Sequence, residues 1–489
     1  MRNTIYTLMF TLFLVMSQSC TENITVKQTL NTKPALFPDY DETVIPCNIA
    51  PLNFKILSDD KEVAATFACN GYTFQVRGNG RQIRISPSDW KKLLEKAKGD
   101  AVNVTVARKK AGIWEAYLPI KIQVAEETID PYLVYRLIEP GYELWSEMGI
   151  YQRNLTNFDE TPVIENHLTG KNCMNCHAFC AQDPNKMVLH MRATYPCTIL
   201  IDGDKMEKLN TQTEQTISPL VYPSWHPSGN YIAFSVNETQ QAFHISDKNR
   251  VEVFDKQSDV VVYDAGRHEI VTSPLLFSKT AYETFPTFSP DGKTLYFCSA
   301  EAKEMPKEFS KAKYNLCSIS FDPATRTFGQ QVDTLYNASG GKSVSFPRVS
   351  PDGRFLLYTL SGYGNFSIWH KDADLYMADL QTKKSFRLGN ACSDDVESYH
   401  SWSSNSHWIV FSSRRIDGLY TRPYIAFIDP KSGEASKPFL LPQEDPDYYE
   451  RSLKSFNIPE LVKGEIDKPA YQIAITAKKE PGVNITFHK

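Results

Sequence analysis

Along much of this chain apolar and polar residues alternate with a period of two, the pattern of strands with one buried face. Tyr72-Thr-Phe-Gln-Val-Arg, Gln82-Ile-Arg-Ile and Val102-Asn-Val-Thr-Val show it between residues 45 and 125. One helix interrupts them, predicted over Asp89 to Lys98 with Ser88 as its cap and Gly99 as its stop. Further on, a fourteen-residue pattern recurs. Tyr222-Pro-Ser-Trp-His-Pro-Ser-Gly-Asn-Tyr-Ile-Ala-Phe-Ser is matched by copies starting at Phe285 and Phe346 and by a degraded copy at Tyr399. In each copy a strand carrying Trp225, Phe288, Val349 or Trp402 enters a turn of the Pro-Asp-Gly kind, and an apolar strand returns. Outer strands follow at Asp259, Asn315, Asp374 and Tyr424.

The copies lie about 53 to 63 residues apart, somewhat above the period of a four-stranded propeller blade. Two more blades are expected upstream and at the tail. Lys186-Met-Val-Leu-His-Met-Arg with Thr198-Ile-Leu-Ile-Asp reads as a strand pair of the first. Met148-Gly-Ile-Tyr-Gln-Arg-Asn-Leu and a tail strand from Ala470 to Thr476 complete or close the ring. With 29 Pro, 23 Gly and 12% aromatics, the composition favours short strands and turns. A chain of 489 residues exceeds one ordinary core. The expected class is therefore all-β: a fibronectin- or immunoglobulin-like β-sandwich over 45–128, then a roughly six-bladed β-propeller over 129–489. Residues 20–44, polar and aperiodic, read as a tether.

One motif carries chemistry. Cys173-Met-Asn-Cys176-His177 has the spacing of c-type haem attachment. Two thiols so placed reach the vinyl groups of one porphyrin edge, and the adjacent imidazole then ligates the iron. Cys173 and Cys176 are thus expected to hold one haem c, with His177 as proximal iron ligand. His190, on the next strand, is the leading distal ligand, ahead of Met148, His167, Met187 and Met191. Arg192, on the same strand face as His190, suits a haem propionate. The same residues leave other readings open: a zinc site completed by Cys180 and His190, or a structural cysteine pair with no cofactor.

Met1-Arg2, an apolar run from Ile5 to Met16 and Ser17-Gln18-Ser19-Cys20 read as an export signal over 1–19. The run is too short to span a bilayer. It resembles a bacterial lipoprotein signal, which implies that Cys20 carries lipid and anchors the protein in the cell envelope, facing the periplasm or on the outer membrane. Export favours oxidised cysteines. Besides Cys20, Cys173 and Cys176 there are Cys47, Cys69, Cys180, Cys197, Cys298, Cys317 and Cys392, an odd number. Cys47 with Cys69 and Cys180 with Cys197 are the sequence-near disulfide candidates.

Over Tyr222 to Pro430 the Ser-Pro-Asp-Gly hairpins resemble the TolB-like, WD-like-repeat propeller family, which implies about six blades and is weak for function. From Asp130 to the end the chain also resembles bacterial lipoproteins labelled cytochrome c related. These resemblances imply a lipid-anchored haem protein acting in electron transfer or redox sensing and docking an envelope protein through its propeller. The alternative is a propeller binding module whose cysteine motif is structural or binds zinc. The net charge of −4 and the lack of basic clusters argue against nucleic acid. A Gly-x-Ser-x-Gly nucleophile elbow is absent from the sequence, and no catalytic residue is assigned. Asp394-Asp395 and Asp445-Asp447 read as solvated turns.

Overall fold

The computed structural model describes residues 24–139, 147–479 and 481–488. Six four-stranded antiparallel sheets, some extended at the edge, follow one another along the chain. Their inner strands are Cys173–Phe179, Leu220–Trp225, Ala281–Phe288, Ser343–Val349, Glu397–Trp402 and Ser455–Val462, and each packs against the next, the last against the first. The result is a closed propeller, with blades numbered 1 to 6 in that order. Blade 6 joins the two ends of the domain: its inner strand is Ser455–Val462, while Tyr132–Ile138, Gly149–Asn154 and Glu160–Glu165 form the outer three. Apolar residues sit on both faces of the central strands, as expected where sheets are stacked on both sides.

All six inner strands share one irregularity. Cys176, Tyr222, Phe285, Phe346, Tyr399 and Ile458 have φ between 48° and 54°, which is uncommon for residues other than glycine. The register slips at each of these positions, so each is the first residue of a β-bulge. The residue after the bulge is proline in four blades, where an amide outside the ladder makes proline harmless. Blades 1 and 5 carry His177 and His400 instead. Past the bulge the strand reaches the turn side of the ring. There Gly229, Gly292 and Gly353 take φ of 71–75°, while the degraded copy manages with Ser406 at 64°.

In blade 2 the second and third strands, Tyr231–Phe243 and Val251–Asp264, run far past their neighbours. They lean over the opposite, hairpin side of the ring. Asn365 Nδ2 donates to Asp255 (2.7 Å), and the Lys371 amide donates to Asn249 Oδ1 (3.2 Å). His370 Nε2 meets Glu252 Oε2 at 3.2 Å.

Three expectations are corrected here. Residues 24–44 are no free tether: Val26–Thr29 and Thr43–Ile45 pair with the N-terminal sheet, and Leu36 and Tyr40 are buried. The helix spans Pro87–Ala97, two residues early, because Pro87 takes its first turn after Ser86. Ala470–Lys478 is a helix and not a strand: Ile473, Ala474 and Ala477 fall on one helical face and are buried. Ring closure falls instead to Ser455–Val462.

Ahead of the ring, a seven-stranded and a three-stranded sheet pack with the Pro87–Ala97 helix in one core that continues into blades 4 to 6. Asp445 and Asp447, expected as solvated turns, fasten this junction. Asp447 accepts from Lys55 Nζ at 2.8 Å and Asp445 pairs with Arg84 Nη2 at 3.2 Å.

Candidate functional site

The cysteine motif lies in the inner strand of blade 1, where it is the sixth copy of the repeat. Cys176-His-Ala-Phe aligns through its bulge with Tyr222-Pro-Ser-Trp, Phe285-Pro-Thr-Phe, Phe346-Pro-Arg-Val, Tyr399-His-Ser-Trp and Ile458-Pro-Glu-Leu. The side chains at the bulge meet around the axis. The rings of Tyr222 and Phe285, Phe285 and Phe346, and Phe346 and Tyr399 are 4.8, 4.2 and 4.8 Å apart, and Phe366 rests on the first two. Cys176 completes this girdle, only 2% exposed, and burial pushes its thiol pKa up.

His177 has the environment of His400. The ring of His400 faces the carbonyls of Phe346 and Leu357, in the bulge and second strand of blade 4, with Nε2 3.2 Å from the Leu357 oxygen. The ring of His177 faces the carbonyls of Ile458 and Val134, the same two positions of blade 6. Each imidazole is therefore packed against the preceding blade, bonded to it by Nε2 in His400 and with both ring nitrogens unpartnered in His177. Burial lowers both pKa values to about 3, so both rings are neutral.

The other expected ligands are dispersed. His190 lies directly opposite Asn175 in the same sheet, its Nδ1 3.0 Å from Thr198 Oγ1, with its pKa likewise lowered to about 3 by burial. A distal iron ligand must come from the face opposite His177, and an adjacent strand cannot supply that. Met187 and Met191 fill the core between blade 1 and blade 6, and Met148 Sδ takes the amide of Met174 at 3.1 Å. His167 is exposed beside Glu165, and Arg192 is an exposed residue paired in register with Cys173.

Cys47, Cys69, Cys173, Cys176, Cys180, Cys298, Cys317 and Cys392 are free thiols. Cys180 belongs to the core shared with blade 2 and Cys197 to the core shared with blade 6, on opposite faces of one sheet. The Cys180–Cys197 disulfide is therefore excluded in this fold. Cys69 is buried while Cys47 Sγ turns to the Glu126 carbonyl at 3.5 Å, so that expected pair is also unbonded. Cys20 and the export signal lie outside the described residues.

A site that sequence reasoning did not find lies beneath the long hairpin. A cavity of about 290 Å³ is lined by Lys248 and Arg250 of the hairpin tip, Trp369 and Lys371 of blade 4, and Asp395 and Arg414 of blade 5. Arg414 is only 4% exposed, and its guanidinium carbon lies 3.2 Å from the centre of the Trp369 ring. Its Nη1 donates to the Leu419 carbonyl (3.0 Å), whereas its Nε has no partner. Burial pulls its pKa down to about 9, still cationic at neutral pH. Asp247, Asp395 and Asp417 line the cavity too, each also accepting from backbone amides and none within 4.0 Å of the Arg414 guanidinium. Asp247 caps the Asn249 amide, Asp395 the Val396 amide, and Asp417 the amides of Leu419 and Tyr420. Among the described residues, Lys371 alone of these cations has an ion pair, with Asp395 at 3.8 Å. Four cations from three blades converge here with no shared motif, so only the topology reveals them.

Beside the girdle, between blades 2 and 3, the balance reverses. Burial raises Asp255 to about 7, Asp259 to about 6 and Glu283 to about 8, the last two also repelling each other.

No protein-family model and no curated protein matches this sequence. Among solved structures the chain is similar to a DUF4784 family protein from Bacteroides caccae, at 8% identity, TM-score 0.31, covering 75% of this chain and 96% of the other. It is also similar to a Mycobacterium tuberculosis puromycin-hydrolyzing peptidase, at 11% identity, TM-score 0.33, covering 86% and 57%. A third is Porphyromonas gingivalis dipeptidyl peptidase 4, at 9% identity, TM-score 0.30, covering 70% and 58%. The chain thus spans somewhat more than half of each peptidase.

The expectation of haem-based electron transfer is overturned. The geometry supplies the reason: the motif is a blade's bulge, its second thiol is sealed in an aromatic girdle, and its imidazole is buried against the neighbouring blade. The cavity touching His177 is about 140 Å³, far too small for a porphyrin.

Proposed function

We propose that this propeller is a recognition protein for an anionic small molecule, one bearing a carboxylate or phosphate, which binds under the Tyr231–Asp264 hairpin. The observation that carries this reading is Arg414: a buried guanidinium with no carboxylate partner, facing a cavity that Lys248 and Arg250 also line. Leaving such a charge unpaired is costly, and an anion entering the cavity removes that cost. A planar guanidinium stacked on Trp369 is held in orientation for a two-oxygen group. The export and lipidation reading of Met1 to Cys20 joins the same proposal and puts the site in the cell envelope.

The test is calorimetric titration with inorganic phosphate, pyrophosphate and citrate, read in parallel through tryptophan fluorescence. Binding should weaken roughly ten- to hundredfold in Arg414→Gln, the worth of one charge-assisted hydrogen-bonded contact. It should also weaken with added salt. Absence of saturable binding by all three anions, or equal binding by the variant, refutes the proposal.

A further inference from the structure

The residue two past each bulge points into the channel on the turn side of the girdle: Ala178, Ser224, Thr287, Arg348, Ser401 and Glu460. Four of the six are small, so the ring encloses space, about 140 Å³. The remaining two are opposite charges on alternate blades, 4 and 6. They attract one another, yet they form no ion pair within 4.0 Å. Arg348 Nη1 spends its bond on its own neighbour's carbonyl, that of Pro347, at 2.9 Å. Glu460 Oε2 has no hydrogen-bond partner, and the neutral ring of His177 stands near it with Nε2 4.0 Å away. Ser401 Oγ, on the blade between them, is buried and also without a partner.

A cation and an anion held apart across a small polar chamber, with unused polar atoms between them, match a ligand carrying both charges. We propose that this axial chamber binds a small zwitterion, an α-amino acid of glycine or alanine size, with its carboxylate on Arg348 and its ammonium on Glu460. Ser401 Oγ and His177 Nε2 take the remaining hydrogen bonds. The chamber volume limits the side chain to about a methyl group, since each further heavy atom needs space that the girdle and Trp225 occupy. Being walled off by the aromatic girdle, the chamber is separate from the Arg414 cavity and does not depend on it.

The experiment titrates full-length protein with glycine, L-alanine, L-leucine, acetate and methylammonium, by calorimetry and by ligand-observed NMR. Glycine and alanine should bind saturably. Acetate and methylammonium, each with one charge, should be at least tenfold weaker, and leucine should not bind. Arg348→Gln and Glu460→Gln should each weaken alanine at least tenfold, whereas Arg414→Gln should leave it unchanged. Ala178→Val keeps both charges and narrows the chamber, so it should abolish binding even if a charge variant fails to fold. No saturation of the wild type by glycine or alanine up to 50 mM overturns the proposal, as does alanine binding that survives Glu460→Gln or Ala178→Val. Water alone then fills the chamber.

Discussion

Stability should pass through a maximum in mildly acidic solution, and Glu283 sets its alkaline side. Its side chain stands on the inner strand of blade 3 facing Asp259, with Oε2 unpartnered, and burial raises its pKa from 4.5 to about 8. The folded state therefore holds a proton that the unfolded state releases above pH 4.5. Stability from this group is complete below that pH and is lost as pH rises towards 8. At 1.36 kcal/mol per pH unit the shift is worth up to about 5 kcal/mol, and water entering the opened fold reduces this to roughly 2 kcal/mol. Asp255 acts in the same direction up to about 7. On the acid side His177, His190 and His400, neutral with pKa near 3, lose stability as pH falls below 6.5. The optimum falls at about pH 5 to 6 by this linkage. Urea midpoints at pH 4, 5.5, 7 and 8.5 measure it for the wild type and for Glu283→Gln, which should match the wild type near pH 4 and exceed it by about 2 kcal/mol at pH 8.5. A wild-type midpoint that keeps rising to pH 8.5, or a variant with an unchanged alkaline slope, refutes the reasoning.

Other outcomes follow from the repeat. His177→Pro, which removes any metal-binding imidazole, should fold with an unchanged far-UV spectrum, because proline already stands at this position in four blades; an insoluble variant would show that the alignment of the blades is wrong. Chain produced alongside haem c maturation machinery should have the same intact mass as chain produced without it, since Cys176 is sealed. Trp225→Phe should cost about 1 kcal/mol in urea unfolding, the worth of the lost 3.1 Å bond from its Nε1 to the Ala178 carbonyl. Gly292→Ala should cost more than about 2 kcal/mol, because its φ is 73° and the new Cβ falls 2.2 Å from His226 Nε2.

The parts of the fold visible in the sequence were those with a local cause. Four copies were recognisable because the turn glycine, replaced by Ser406 in the last copy, and the apolar residue three past the bulge are set by backbone geometry within a dozen residues. The copy in blade 1 was hidden because its turn, Cys180 to Asn185, runs through a short 3₁₀ segment and has no glycine. In blade 6 the first and second strands are more than 300 residues apart, so no window along the chain contains the hairpin. The tail from Ala470 misled because Tyr-Gln-Ile-Ala-Ile-Thr alternates well enough for a strand, and only packing against blade 1 and its neighbours selects the helix. The Arg414 cavity had no local cause at all: Lys248, Trp369 and Arg414 meet because a hairpin of one blade lies across two others.

The resemblance of blade 1 to a haem site can be traced to the demands of the bulge. The position wants a side chain that fills the girdle, and the next wants a residue that needs no ladder partner, a proline in four blades and a buried imidazole in the other two. Tyr399-His400 answers both demands in blade 5 with no cysteine involved. Cys176-His177 answers them in blade 1, where the smaller thiol leaves room beside Tyr222. With Cys173 three residues earlier at the mouth of the strand, the spelling of an attachment motif results from two independent packing choices. The two readings part on one measurable property: a haem thiol must be reachable, whereas a girdle thiol is shielded. Cys173, half-exposed, should therefore react with a maleimide in the folded protein, while Cys176, its pKa raised by burial, should react only after unfolding. Equal rates at the two thiols under native conditions would show that the girdle is open and remove the packing account of the motif.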